Sequence, residues 1–239
     1  LTLENAIPLD VDLTYYLHSG TNLISFPFNG SINISEAIPD EVEGYFTGII
    51  GEGVAANVLP NGSWVGGLTN FQGGDGYWAK INSDINFSFD IDGAAERTAE
   101  VIFQQINNNT IYEYVQSTRQ AFYFIKDIII NEVPIDDDDW VLVYNDNILV
   151  GARQWTGEYT DIPAMGYDGT AGTEGYLLDG DTPKIKVIKQ SGEQYDMSHI
   201  PEWGNNTLYT LNELNNIVIP QDLTITNIFP NPFNPITTI

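Results

Sequence analysis

The sequence predicts an all-β fold: two tandem small β-sandwich domains, then an extended linker and a truncated terminal strand. Apolar residues recur with a period of two rather than 3.6. Gly, Asn, Asp and Pro punctuate those runs at short intervals, as in chains of short strands joined by turns. Helical periodicity is nearly absent.

Taken in order, Asn22-Leu23-Ile24-Ser25-Phe26-Pro27-Phe28 puts Ile24, Phe26 and Phe28 on one face. Pro27 lacks an amide donor, which predicts an edge or terminal position for this strand. Ser35-Glu36-Ala37-Ile38 is the one expected helical turn, with Ser35 as N-cap and Pro39 as its stop. Tyr77-Trp78-Ala79-Lys80-Ile81 and the alternating Ile85, Phe87, Phe89 and Ile91 read as a hairpin turning at Asn82-Ser83-Asp84. A second series of strands follows Gly93-Ala94-Ala95, at Val101–Phe103, Ile111–Val115, Ala121–Ile130, Trp140–Tyr144 and Lys184–Ile188. Within it, Ala121-Phe122-Tyr123-Phe124-Ile125 is apolar on both faces, as expected of a central strand. The expected divisions are residues 1–92, 93–200, a linker over 201–228 with one strand at Thr207–Leu211, and a final segment over 229–239.

Composition narrows the function. An apolar fraction of 42%, with 12% aromatic residues, is ample for buried cores and argues against a disordered chain. Eight Lys and Arg stand against 33 Asp and Glu, for a formal charge of −25. That charge repels phosphate backbones and anionic headgroups, which argues against nucleic-acid binding and suits hard cations such as calcium. Without cysteine there is no disulfide, thiolate zinc site or cysteine nucleophile. No apolar run approaches the roughly 18 residues of a membrane span. Residue 1 is Leu, without a charged and apolar leader after it, so a removed leader and an excised fragment are both open.

Three stretches resemble known material. His18–Phe26, Gly51–Ala56, Gly62–Gly66 and Gly76-Tyr77-Trp78 resemble a β-rich module of the GWNLIS and GYW type, with Thr21 where that pattern has Trp. Asp139-Trp140-Val141, Gly151–Trp155, Asp161–Gly166 and Asp168-Gly169-Thr170 are similar to a companion module. Both resemblances point to large secreted bacterial surface proteins. Finally, Phe229-Pro230-Asn231-Pro232-Phe233-Asn234-Pro235 resembles the first strand of the C-terminal sorting domain of type IX secretion cargo. Proline removes amide donors, so this stretch makes a rigid extended lead-in that cannot continue a preceding sheet. The resemblance implies that a longer parent chain engages the secretion machinery and reaches the exterior or outer cell surface.

Candidate chemistry is sparse. His18 and His199 are the only histidines and read as surface or turn residues; no G-x-S-x-G, P-loop or dinucleotide-binding motif occurs. Acids are too abundant to single out a glycosidase pair. The sequence therefore argues against an enzyme. Asp136-Asp137-Asp138-Asp139 reads first as a solvated turn, and second as a calcium site, since a cation would relieve repulsion among adjacent carboxylates. Asp168, Asp179 and Asp181 form a second acidic loop region with the same expectation, though neither has EF-hand spacing. Trp155, beside Arg153, is the tryptophan expected to be exposed and able to stack on a sugar ring. Six Asn-x-Ser/Thr sequons, the first at Asn29, read as turn composition rather than glycan acceptors.

The function expected from these readings is a non-catalytic extracellular or cell-surface structural protein. It would self-associate as a filament or surface-layer subunit by strand addition through the terminal segment. The competing expectation is an adhesin or carbohydrate-binding module presenting loop aromatics.

Overall fold

In the computed structural model, residues 10, 12–92, 95–96 and 111–216 are described. They form a nearly all-β, β-sandwich-like protein with two large hydrophobic cores and a smaller one between them.

The N-terminal half runs β1 (Tyr15–Leu17), β2 (Gly20–Ser25), β3 (Gly30–Asn33), α1 (Ile34–Ala37), α2 (Asp40–Glu43), β4 (Phe46–Ile50), β5 (Ala55–Val58), β6 (Trp64–Val65), β7 (Asn70–Gln72), β8 (Gly76–Ile81), β9 (Ile85–Phe87) and β10 (Ala95–Glu96). Its main sheet has the order β2-β8-β4-β5-β6, with every pairing antiparallel. A three-stranded sheet β10-β3-β7 and the pair β1-β9 complete it. Alternation assigns the faces. Tyr77, Ala79 and Ile81 of β8 enter the N-terminal core, and Gly76, Trp78 and Lys80 point the other way. Phe26, Phe71, Phe87 and Phe89 interlock there, with Phe71 and Phe89 centroids 5.0 Å apart and nearly perpendicular. Strand β2 is an edge strand that ends just before Phe26-Pro27, in line with the missing proline donor.

Two local expectations need correction here. The stretch 77–91 is not a hairpin: β8 pairs with β2 and β4, while β9 pairs with β1. Asn82–Asp84 carries the chain from one sheet to another, and the Asp84 carboxylate accepts the Ser19 amide at 2.7 Å. Ile81 and Ile85 are both buried, and the crossing encloses the aromatic core between the strands that bear them. The N-cap of α1 is Asn33 rather than Ser35. Asn33 Oδ1 accepts the Ser35 amide at 3.0 Å from an extended backbone. Pro39 stops α1 and also opens α2, its carbonyl accepting the Val42 and Glu43 amides. Strand β10 pairs with β3, Ala95 opposite Ser31 and Glu96 opposite Gly30.

The C-terminal half comprises β11 (Gln120–Ile130), β12 (Val133–Pro134), β13 (Trp140–Asn145), β14 (Ile148–Gln154), β15 (Thr160–Met165), a 3-10 turn (Ala171–Thr173), β16 (Lys184–Ile188), β17 (Gln194–Asp196) and β18 (Leu208–Asn215). One sheet is β12-β11-β15 with β18 added parallel to β11; the other is β14-β13-β16-β17. Asn131 and Glu132, both at positive φ, make the tight turn between β11 and β12. The strands expected at 121–130, 140–144 and 184–188 are present, whereas Ile111–Val115 is not a strand; the Val115 amide instead donates to the Tyr176 hydroxyl at 2.8 Å. Val101–Phe103 lies outside the described residues.

The strand expected at Thr207–Leu211 is present as the start of β18, which runs on to Asn215, and the residues around it pack on the C-terminal half rather than forming an irregular linker. Trp203 is 1% exposed, its indole N–H donates to the Ala164 carbonyl at 2.9 Å, and β18 pairs with β11 from Phe122↔Leu208 to Ile129↔Asn215. The polar appearance of this stretch comes from its outward residues, while Leu214 is buried and Tyr209 stacks on Tyr123 at 4.7 Å.

Strand β11 joins the halves. Ala121, Tyr123 and Ile125 enter the C-terminal core, while Phe122 and Phe124 pack on Ile50 and Ala55 of the N-terminal sheet. Close approach depends on glycine. A Cβ at Gly66, which has φ +110°, would overlap Phe124 and the Ala55 carbonyl.

Candidate functional site

At the junction the buried Asp161 of β15 accepts the Ala55 amide at 2.9 Å and the Gly67 amide at 3.1 Å, both from the N-terminal half. Arg153 of β14 pairs with the same carboxylate at 3.2 Å, donates to the Asp161 carbonyl at 2.9 Å and reaches the Gly53 carbonyl at 2.6 Å. A buried acid survives only when its lone pairs are met, and here every contact to the carboxylate is a donor. Burial pushes the Asp161 carboxyl above its ordinary value, while Arg153 and the two amides pull it down. Around this clamp, Gln120 donates to the Gly51 carbonyl at 3.2 Å, Asn57 to Thr210 at 2.8 Å, and the Lys80 ammonium to the Asn206 carbonyl at 2.6 Å. Desolvation there lowers Lys80 from the usual lysine value.

Beside the clamp the halves leave a cleft of about 370 Å³. Ile50, Glu52, Gly76 and Trp78 line one side, and Gln116, Gln120 and Asp168 the other. Two-residue alternation places Gly76 and Trp78 on the outward face of β8, so the ring has no side chain beside it at position 76. The opposite wall is braced from within. Gln116 Nε2 donates to Gln120 Oε1 at 3.1 Å, and Ser117 Oγ donates to the Gly166 carbonyl at 2.6 Å.

Asp168 organises the loop at its rim. Its Oδ1 accepts the Thr173 hydroxyl at 2.7 Å, the Thr170 hydroxyl at 2.7 Å and the Thr170 amide at 3.0 Å. These bonds, Thr173 first, hold the carboxyl far below the usual aspartate range. A depressed carboxyl contributes stability that is present above its unfolded value and is lost only as pH falls through the folded one. The Thr170 and Thr173 amide resonances should therefore show no inflection near the ordinary aspartate value of about 3.9, moving only in stronger acid. Thr173→Ala should bring the inflection back toward that value, and an ordinary titration in the unmutated chain would refute the loop's dependence on the anion. The same anchoring unfits Asp168 as a glycosidase acid, which must hold its proton near neutrality.

A larger groove of about 900 Å³ runs along β16 and β17 past His199. Its charges are already matched, Lys184 with Asp146 at 3.2 Å and Lys186 with Asp196 at 3.3 Å. His18 and His199 are both exposed, His18 bonded to the Ser19 carbonyl and His199 to the Ser198 hydroxyl.

The remaining expected site residues fall apart in space. Asp136–Asp139 is a turn, with Asp138 at φ 73°, so alternate carboxylates do not project together. Asp139 is 1% exposed and pairs with Lys189 at 2.7 Å; Asp136 meets the same ammonium at 2.8 Å, while Asp137 and Asp138 face solvent. Desolvation works against the Lys189 ammonium, yet hydrogen bonds to Asp136 and Asp139 hold it above its ordinary value. Asp179 accepts the Asn205 amide at 2.8 Å, which lowers its carboxyl, and it also pairs with Arg119. Asp181 accepts the Leu178 amide at 2.8 Å. Among the described residues, no three acidic or histidine side chains converge on a point where a metal would sit.

Trp155 is 5% exposed and lies in the C-terminal core, so it is not the surface aromatic expected, and Arg153 is committed to the clamp. Phe229, Pro230, Asn231, Pro232, Phe233, Asn234 and Pro235 lie outside the described residues. The residues that sequence reasoning passed over are Asp161 and Trp78. A lone acid beside the apolar run Ile162–Met165 was the available signal for the first, and the alternation of Tyr77, Trp78 and Ala79 for the second. No protein-family model, curated protein or solved structure matches this chain.

Proposed function

We propose that this chain is a non-catalytic structural segment of a secreted or cell-surface protein exported by a type IX-like route. The observation that carries the reading is the junction, where Phe122 and Phe124 and the Asp161–Arg153 clamp join the two β-rich halves. Domains of one chain that meet through small polar surfaces move independently; an apolar contact locked by buried hydrogen bonds makes one stiff body, as a spacer or lattice subunit requires. A net charge of −25 keeps such a body soluble and discourages indiscriminate association.

In this proposal subunits join by strand addition. The segment resembling a sorting-domain strand, Phe229–Pro235, is the donor, and an open sheet edge on a neighbour is the acceptor. Among the described residues, β2 is paired only with β8 and β18 only with β11, which leaves an edge on each. Electron microscopy of the purified chain, with and without residues 224–239, tests this. Ordered assemblies are expected from the full chain and isolated particles from the shortened one. Assemblies that survive the deletion would refute strand linkage, and isolated particles in both samples would refute self-assembly.

A further inference from the structure

We propose that the cleft between the two halves binds a neutral saccharide, with the indole of Trp78 as its stacking face. The proposal does not depend on the structural role above. It stands on a built cavity, an outward aromatic and unspent hydrogen-bonding groups.

The cavity volume of about 370 Å³ falls within the range of small-ligand sites, roughly 300–1,000 Å³, which favour domain junctions. The walls come from opposite halves, with Trp78 and Ile50 facing Gln116 and Gln120. The clamp at Asp161 holds those walls in register, so little ordering is left for a ligand to impose. Trp78 is half-buried at the margin of the junction core, and the missing side chain at Gly76 leaves room beside its ring. Sugar rings present C–H faces that pack on such a surface, with hydroxyl edges that need partners.

Those partners are present. Among the described residues, the Trp78 indole N–H, Gln116 Oε1 and the Glu52 carboxylate have no hydrogen-bond partner, and Asp168 Oδ2 takes only a long contact of 3.3 Å from the Thr118 amide. One donor and three acceptors suit hydroxyl groups, which both donate and accept. Among the described residues that line the cleft there is no lysine, arginine or histidine, so an anionic ligand would meet Glu52 and Asp168 with no cation among them. A cation is the other candidate. Asp168, however, already has its charge answered by Thr170 and Thr173, and Glu52 is exposed at the rim, so no buried anion waits for a countercharge.

The test is a glycan array, followed by titration of tryptophan fluorescence with the strongest-binding oligosaccharide. Tetramethylammonium chloride and inorganic phosphate serve as controls. Saturable binding of a neutral glycan is expected, with no response to phosphate. Trp78→Ala and Gly76→Leu should each weaken it by about tenfold or more, whereas Trp155→Phe should leave it unchanged. Gly76→Leu is the decisive variant if Trp78→Ala fails to fold. A Cβ at residue 76 meets nothing nearer than 3.7 Å, so the new side chain fills the cleft without backbone strain. Absence of any glycan signal, or a signal indifferent to Gly76→Leu, would overturn the site. Displacement of the glycan by tetramethylammonium would overturn the neutral class in favour of a cation. Because the titration does not read assembly, its failure leaves the structural proposal standing, and failure of assembly leaves the cleft.

Discussion

Asp161→Ala should lower folding stability by about 3–5 kcal/mol, the usual cost of removing one partner from a buried ion pair. The carboxylate is 3% exposed, and its loss strands the Ala55 and Gly67 amides together with one arm of the Arg153 guanidinium. Apolar contact at Phe122 and Phe124 remains, so each half should keep its own core while their docking weakens. In urea the unmutated chain should unfold in one transition. The variant should unfold earlier and in two steps, because the Ala55 and Gly67 amides lose the buried carboxylate that ties them to the C-terminal half and the peripheral hydrogen bonds are left to hold the docking. Adding Arg153→Met to Asp161→Ala should cost less than the sum of the single changes, since an unpaired buried guanidinium is then removed as well. An unchanged urea midpoint in Asp161→Ala would refute the clamp.

Trp203→Ala should cost a similar amount, about 3–5 kcal/mol, through the lost burial and the cavity left behind. The indole lies under the Arg119 guanidinium, 5.8 Å from its ring centroid, and against Gly166, where a Cβ would overlap it. Trp203→Phe retains much of the ring and discards the bond to the Ala164 carbonyl, so about 1–3 kcal/mol is expected. Chemical denaturation of the two variants measures both values. The comparison bears on what residues 201–216 are. If they were a tether between folded parts, either change would leave the denaturation midpoint where it was.

Much of the fold was legible because a strand advertises its faces. Ile85 and Phe87 with Asn86 between them, or the doubly apolar Ala121–Ile125, reveal which residues are buried before any partner is known. Nothing local reveals which strand lies alongside. Strands β8 and β9 are separated by a turn-forming Asn-Ser-Asp, and a hairpin satisfies that pattern as well as a crossing does. Strand β18 was legible only at its start, Thr207–Leu211, and its place in a sheet was not: with one face against the core and the other largely polar, the stretch has the local signature of a linker. The cleft was less legible still. Its groups come from residues 50–52, 76–78, 116–120 and 168, and each stretch alone looks like an ordinary turn or strand end. Trp155 and Trp78 illustrate the same limit. Trp155 follows the polar Arg153-Gln154 and Trp78 lies between Tyr77 and Ala79, yet the first is in a core and the second lines a cleft.

By itself, then, the sequence determined the all-β class, the faces of its principal strands, the acidity that disfavours polyanionic partners and the lack of thiol chemistry. Tertiary structure alone decided which sheets the strands join, that Asp161 answers amides 106 and 94 residues away, and that Trp78 meets a cleft. The division has one physical cause. Side-chain alternation is a property of the chain within a few residues, whereas partners, clamps and cavities arise where distant apolar faces are buried together and the polar groups trapped with them must find each other.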